Sequence, residues 1–205
     1  MDASHILNEG FNREGGFRFP LNVIADNNFK TIMDYMHNYM SPLGEISVAS
    51  DGESLIGLWF NSQKYFGSTI SEPFRYEMVD VFKDTFRWLD LYFSGKQPNF
   101  LPKIFLRCSE YRIEVFNELL RIPFGKTVTY SDISHALVER KIMLKASPRA
   151  VANAIGHNPI SVIIPCHRVI GKNGNMTGYA AGIERKIQLL NHESAYFRKS
   201  RLMTE

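Results

Sequence analysis

The spacing of apolar positions changes several times along this chain, and each change predicts an element. In "SPLGEISVASDGESLIGLWF", beginning at residue 41, the runs "ISVAS" and "SLIGLWF" flank Asp51-Gly52. That pattern predicts two strands joined by a hairpin, because glycine tolerates the positive φ of such turns. Residues 73–95, "PFRYEMVDVFKDTFRWLDLYFSG", place Met78, Val81, Phe82 and Phe86, then Leu89, Tyr92 and Phe93, at helical spacing. The predicted helix closes on Ser94-Gly95.

"KQPNFLP", residues 96–102, has the composition of a linker. Beyond it, "SEYRIEVFNELLRIPFG" predicts an amphipathic helix ended by Pro123 and Gly125. "TVTYSDISHAL" begins another, with Thr129 as cap and Asp132 completing an imperfect capping box. "SPRAVANAI" begins a third, with Ser147 as N-cap and Pro148 in the first turn. Two short helices in a basic region suggest a helix-turn-helix, although the connection "VERKIMLKA" is longer than a tight turn and an ordinary bundle is the alternative. The apolar run "ISVIIP", 160–165, reads as a buried strand. Residues 1–35, polar and glycine-rich, read as an extension outside the core, and Met33, Met36 or Met40 as alternative starts. The expected fold is α+β: an N-terminal sheet-plus-helix domain over 36–95, a linker over 96–105, and a mainly helical C-terminal domain over 106–205.

Composition narrows the class. The 205 residues are 44% hydrophobic, enough for a core, and the two cysteines are too few for a disulfide framework. No clustered Cys/His spacing suggests zinc. Neither a secretory leader nor a membrane span is visible, so a soluble intracellular protein is expected, with no membrane partner. The net charge of +3 conceals an asymmetry: residues 1–100 carry 8 lysines and arginines against 13 acids, residues 101–205 carry 16 against 8. A basic half of this kind suits a polyanion such as nucleic acid, and suits clustered solvated charge equally well.

Candidate chemistry centres on Cys166, placed just past an apolar run and followed by His167 and Arg168. A free thiol with a pKa of ~8.5 is mostly protonated at neutral pH, so a reactive one needs a base or a positive environment. A histidine base in turn wants a carboxylate on its other nitrogen; Glu184 and Glu193 both qualify. Such a thiol suits a hydrolase, a redox sensor or an alkyl acceptor, while Cys108 reads as core filler.

"PCHRVIGKNGNMTGYAAGIERKIQLLNHE" resembles the active-site region of the O6-alkylguanine-DNA alkyltransferases, the methylated-DNA–protein-cysteine methyltransferases. "IPFGKTVTYSDIS", "RAVANAIGHNP" and "ISVIIP" fall in that family's order, and "SPLGEISVASDGESLIGLWFNSQKYF" resembles its N-terminal domain, a ribonuclease H-like unit. The resemblance, over about 41–193, implies that Cys166 accepts an alkyl group from O6-methylguanine, and from O4-methylthymine, once per molecule. It implies that His167 acts through a water with Glu193, that Asn158 braces the turn carrying the thiol, and that Tyr130 donates toward the guanine ring. Arg149 would enter the base stack as the damaged nucleotide flips out, from a minor-groove helix kept narrow by Ala150, Ala152 and Ala154. Tyr111 and Lys172 would contact DNA as well; Tyr179, Ala180, Ala181 and Gly182 would line the base pocket, with Lys186 beside the thiolate.

The implied partner is alkylated double-stranded DNA bound by a monomer, with no metal and no organic cofactor, in cytoplasm or nucleus. Some relatives hold zinc in the N-terminal domain, where this chain has no cysteine. Departures from the family are Ala181 in place of a pocket-loop glycine, which would narrow the pocket, Ala152 in the recognition helix, and Phe116 for a frequent tryptophan. Alternative readings are a damage-binding module, which in relatives lacks the cysteine, and a transcriptional regulator.

Overall fold

The computed structural model describes residues 33–202. The greater part of the extension expected over 1–35 therefore lies outside the described residues. Within them, the chain forms β1 (Asp34–Ser41), β2 (Gly44–Ser50), β3 (Leu55–Phe60), β4 (Phe74–Tyr76) and α1 (Asp80–Phe93). There follow α2 (Glu110–Leu120), β5 (Val128–Thr129), α3 (Tyr130–Glu139), α4 (Pro148–Gly156), β6 (Val169–Ile170) and α5 (Ile183–Leu202).

The Asp51-Gly52 hairpin forms as its sequence requires. Gly52 has φ 98°, and Asp51 Oδ1 accepts from the backbone N–H of Glu53 and Ser54. β2 pairs antiparallel with β3, and also with β1, a strand the apolar pattern did not announce. It includes Met36 and Met40, so a start at either would shorten the sheet. The sheet order is β3-β2-β1-β4, with β4 parallel to β1. β4 takes up Phe74–Tyr76, and α1 starts only at Asp80, leaving Met78 outside the helix and exposed. The other apolar positions behave as their spacing implies, with Val81, Phe82, Leu89 and Tyr92 buried on one stripe of α1.

Gly57 marks the tightest packing in the sheet. A Cβ there would lie 1.8 Å from the Trp59 ring, so only glycine lets the indole lie across the strand.

The edge of β3 is not free. Leu55 N donates to Lys103 O at 2.8 Å and Phe105 N to Leu55 O at 3.0 Å, so the stretch expected as a linker runs extended along the sheet. Its alternate residues Pro102, Ile104 and Leu106 are buried. Arg107 fastens the end of this stretch to Asp34, fully buried in β1, through two hydrogen bonds of 2.6 and 2.8 Å. Farther along the edge, Leu58 N donates to Pro159 O and Ser161 N to Leu58 O, tying the sheet to the segment that carries Cys166. One hydrophobic core runs through both halves, from Ile46 and Phe60 to Ile164 and Leu189.

α2, α3 and α4 pack on one another beyond the sheet. Thr129 and Asp132 make both hydrogen bonds of a capping box, and Ser147 accepts from Ala150 N at 3.2 Å. Among the described residues no helix is long and apolar enough to cross a membrane.

Candidate active site

The apolar run 160–164 is not the strand its composition suggested. Ile160 makes a single bridge to Leu58, and the chain then turns: Val162 has φ 69°, Ile163 N bonds Ser161 O and Ile164 N bonds Ile160 O. The run is apolar because it is buried at the junction of the two halves, not because it is extended. A buried turn leaves backbone groups needing partners. Asn158 supplies them: its Nδ2 donates to Ile164 O at 2.9 Å and its Oδ1 accepts from Ile160 N at 3.0 Å. The same Nδ2 lies 3.0 Å from Cys166 Sγ, in hydrogen-bonding range of a sulfur acceptor. Cys166, His167 and Arg168 then form one 3-10 turn, all buried.

Glu193, reaching in from α5, is the hub of this turn. It is fully buried and accepts from His167 Nε2 at 2.7 Å, Tyr92 Oη at 2.9 Å, Gly125 N at 2.8 Å and Arg168 Nε at 3.0 Å. Arg168 Nη2 adds a bond of 3.0 Å, and its Nη1 donates to Ile122 O. Glu184, the other candidate carboxylate, is exposed. A carboxylate only accepts, so His167 Nε2 carries the hydrogen and Nδ1 is left bare as the basic nitrogen. That Nδ1 is buried and has no hydrogen-bond partner among the described residues.

Electrostatics follow from this arrangement. Burial alone would raise the Glu193 pKa, but the His167 hydrogen bond and the charge and hydrogen bonds of Arg168 outweigh it and hold the carboxyl far below the usual range. Burial lowers the pKa of His167, against the pull of Glu193 and assisted by Arg168 and Lys186, so the imidazole is held neutral. The Cys166 thiol is pushed up by burial; the Asn158 hydrogen bond, the Lys186 charge and backbone N–H groups oppose that rise. Lys186 is itself fully buried, its Nζ donating to Val169 O at 2.5 Å and Thr177 O at 3.0 Å, and burial lowers its pKa.

Cys166 opens onto a cleft of about 430 Å³. Tyr130, Thr177, Tyr179 and Ala180 line it, as do Ala152 and Asn153 of α4. Tyr130 Oη donates to Thr177 O at 3.2 Å. Burial raises the pKa of Tyr130, which stays a donor.

Two residues expected in the pocket are not there. Ala181 is buried in the core and Gly182, with φ 93°, turns the chain into α5; both border a separate depression beside Leu43. The Ala181 methyl therefore does not narrow the cleft.

On α4, Val151, Ala154 and Ile155 form the buried stripe, so Ala154 packs inward and has no part in the outer face. Arg149, Ala150 and Asn153 are exposed there. Tyr111 on α2 is half-buried against the core and Lys172 is exposed, and neither lines the cleft.

Sequence reasoning missed Tyr92 and Gly125 as partners of Glu193, and Lys64 and Tyr65 in the cleft wall. A hydroxyl on the apolar stripe of α1 was the one available hint for Tyr92. Among the described residues no group of three or more His, Cys, Asp or Glu is placed to hold a metal ion.

A buried thiol beside a histidine–carboxylate pair, opening onto a cleft bordered by α4, defines a cysteine-centred site. Comparison with known proteins gives the lineage. The family model for the 6-O-methylguanine DNA methyltransferase ribonuclease-like domain matches residues 35–102, and that for the family's DNA binding domain matches 110–195. A methylated-DNA–protein-cysteine methyltransferase of Saccharolobus islandicus is 41% identical over 155 residues, which are 76% of this chain and 92% of that protein. Its Mycobacterium bovis counterpart is 37% identical over 158 residues, 76% and 89% of the two chains. The crystal structure of Mycobacterium tuberculosis OGT in complex with DNA superposes with a TM-score of 0.68 at 34% identity, covering 79% of this chain and 94% of that one. This chain belongs to the 6-O-methylguanine DNA methyltransferase family.

Proposed function

We propose that this protein repairs alkylated DNA by direct transfer, as a methylated-DNA–protein-cysteine methyltransferase acting once per molecule. The observation that carries the reading is the setting of Cys166 Sγ, bordering a cleft, with an Asn158 donor at 3.0 Å and the buried His167–Glu193 pair next to it. Sulfur attacks the carbon on guanine O6. An S–C bond forms as the C–O6 bond breaks, and the electron pair of the broken bond passes to the purine. His167, through a water, takes the thiol proton onto its bare Nδ1. Tyr130 donates toward the departing base, which stabilises its developing negative charge. The product is a thioether that water does not cleave, so the protein is consumed. O4-methylthymine is a second substrate by the same displacement.

The methyl group of a paired base is out of reach of a thiol fixed in a cleft, so the nucleotide must be everted. Arg149 fills the vacated stack, and the outer face of α4, with Ala150 and Ala152, lies in the minor groove, where readout is degenerate and any sequence can be scanned. The α3–α4 pair serves as a helix-turn-helix with a long connection. Lys172 meets phosphate, and binding weakens as salt rises. The DNA complex of the tuberculosis relative supports DNA as partner.

The test is to incubate the protein with duplex DNA carrying O6-methylguanine and to weigh the Cys166 peptide. One methyl per molecule is expected, and Cys166→Ser should bind the duplex without accepting it. Tight binding with an unmodified thiol would replace this reading with that of a damage-binding module.

A further inference from the structure

The wall of the cleft is not built by the C-terminal half alone. Lys64 and Tyr65, in the loop that follows β3, line it beside His157 and Ala180. This loop is fastened at both sides of the site. Gln63, buried, takes a hydrogen bond from Ser161 Oγ at 2.9 Å, and Lys64 N donates to Ala180 O at 3.0 Å. Tyr65 is held in a left-handed conformation, φ 60°, which a bulky residue adopts only when its surroundings impose it. Its ring stacks on His157 with centroids 4.1 Å apart and planes 25° off parallel. Even so, Tyr65 is 50% exposed.

Position within the cleft decides what this ring meets. Tyr130 enters beside Thr177 and Gly178. Tyr65 enters beside His157, whose neighbour Asn158 holds the sulfur, and beside Ala180. Tyr65 and Cys166 border the same cleft, so the N-terminal half contributes an aromatic wall to the space the thiol faces. A cleft of about 430 Å³ is larger than a methyl group needs once the base is in place.

The geometry points to Tyr65 as a specificity-determining residue that packs against O6 substituents larger than methyl, so that the N-terminal half helps set which alkyl groups are removed. This rests on the repair reading above. An aromatic substituent lying on the Tyr65 ring gains contact that a methyl group is too short to make.

The test compares second-order transfer rates from duplexes carrying O6-benzylguanine and O6-methylguanine. Each variant is scored by its own benzyl-to-methyl ratio, which cancels any loss of folded protein. Tyr65→Ala should lower that ratio about tenfold, and Tyr65→Phe, which keeps the ring, should leave it within about twofold of the parent. A Tyr65→Ala ratio equal to the parent's, or higher, overturns the assignment. A parent protein that transfers neither group overturns the repair reading and this one with it.

Discussion

Replacing Glu193 by Gln removes one charge and keeps the shape, which isolates what the carboxylate contributes. In the parent, both oxygens accept: Oε1 from His167, Tyr92 and Arg168, Oε2 from Gly125 and Arg168. Arg168 is 8% exposed, and its cation has Glu193 as its sole ion-pair partner among the described residues. The amide leaves that guanidinium buried without a counter-charge and turns an N–H₂ group toward donors. Breaking a buried pair by removing one member costs about 3–5 kcal/mol. For a chain of this length that corresponds to a fall of roughly 6–20 °C in the unfolding midpoint. The pH dependence adds a second signature. The folded Glu193 carboxyl titrates below its unfolded value of about 4.3, so its stabilisation is complete above that pH and is lost as the pH falls through the folded pKa. Urea unfolding at pH 7 and pH 3 should therefore show a large gap between Glu193→Gln and the parent at neutral pH, narrowing in acid. A variant within about 1 kcal/mol of the parent at pH 7 would refute the argument that the buried Arg168 cation depends on this carboxylate.

Gly57→Ala should destabilise by about 1–3 kcal/mol in chemical unfolding, because a methyl meets the Trp59 ring. Thr129→Ala, which breaks the capping box of α3, should cost about 1 kcal/mol in the same assay. The Cys166 thiol has its pKa raised, so its reaction with a small alkylating reagent should keep accelerating above the ordinary thiol range of about pH 8.5. Lys186→Met removes a cation that lowers that pKa, so the pH–rate profile of the same reaction should move further toward alkaline pH.

What the sequence announced and what it hid divide by the range of the interactions. The Asp51-Gly52 turn, the Thr129–Asp132 box and the Ser147-Pro148 start are settled within four residues, and each was readable from its own letters. β1 was not, because its buried Asp34 looks like a surface residue until Arg107, far along the chain, arrives to pair with it. The run 160–164 misled for a related reason: apolar composition reports burial, and only the side chain of Asn158 and the edge of β3 reveal that the backbone there is a turn. The resemblance alone points to Lys186, because nothing local shows that three backbone carbonyls converge on its ammonium.

The same division runs through the site. Cys166 and His167 are neighbours in the sequence, whereas Glu193, which bonds His167, and Tyr92, which bonds Glu193, come from helices on opposite sides of the linker. Glu193 thus bonds at once to the N-terminal helix, to the loop before α3 and to the turn that carries the thiol. A change in how the halves pack must therefore alter the hydrogen bond that fixes the His167 tautomer. In this molecule the N-terminal half is hydrogen-bonded, through that carboxylate, to the turn that carries the thiol.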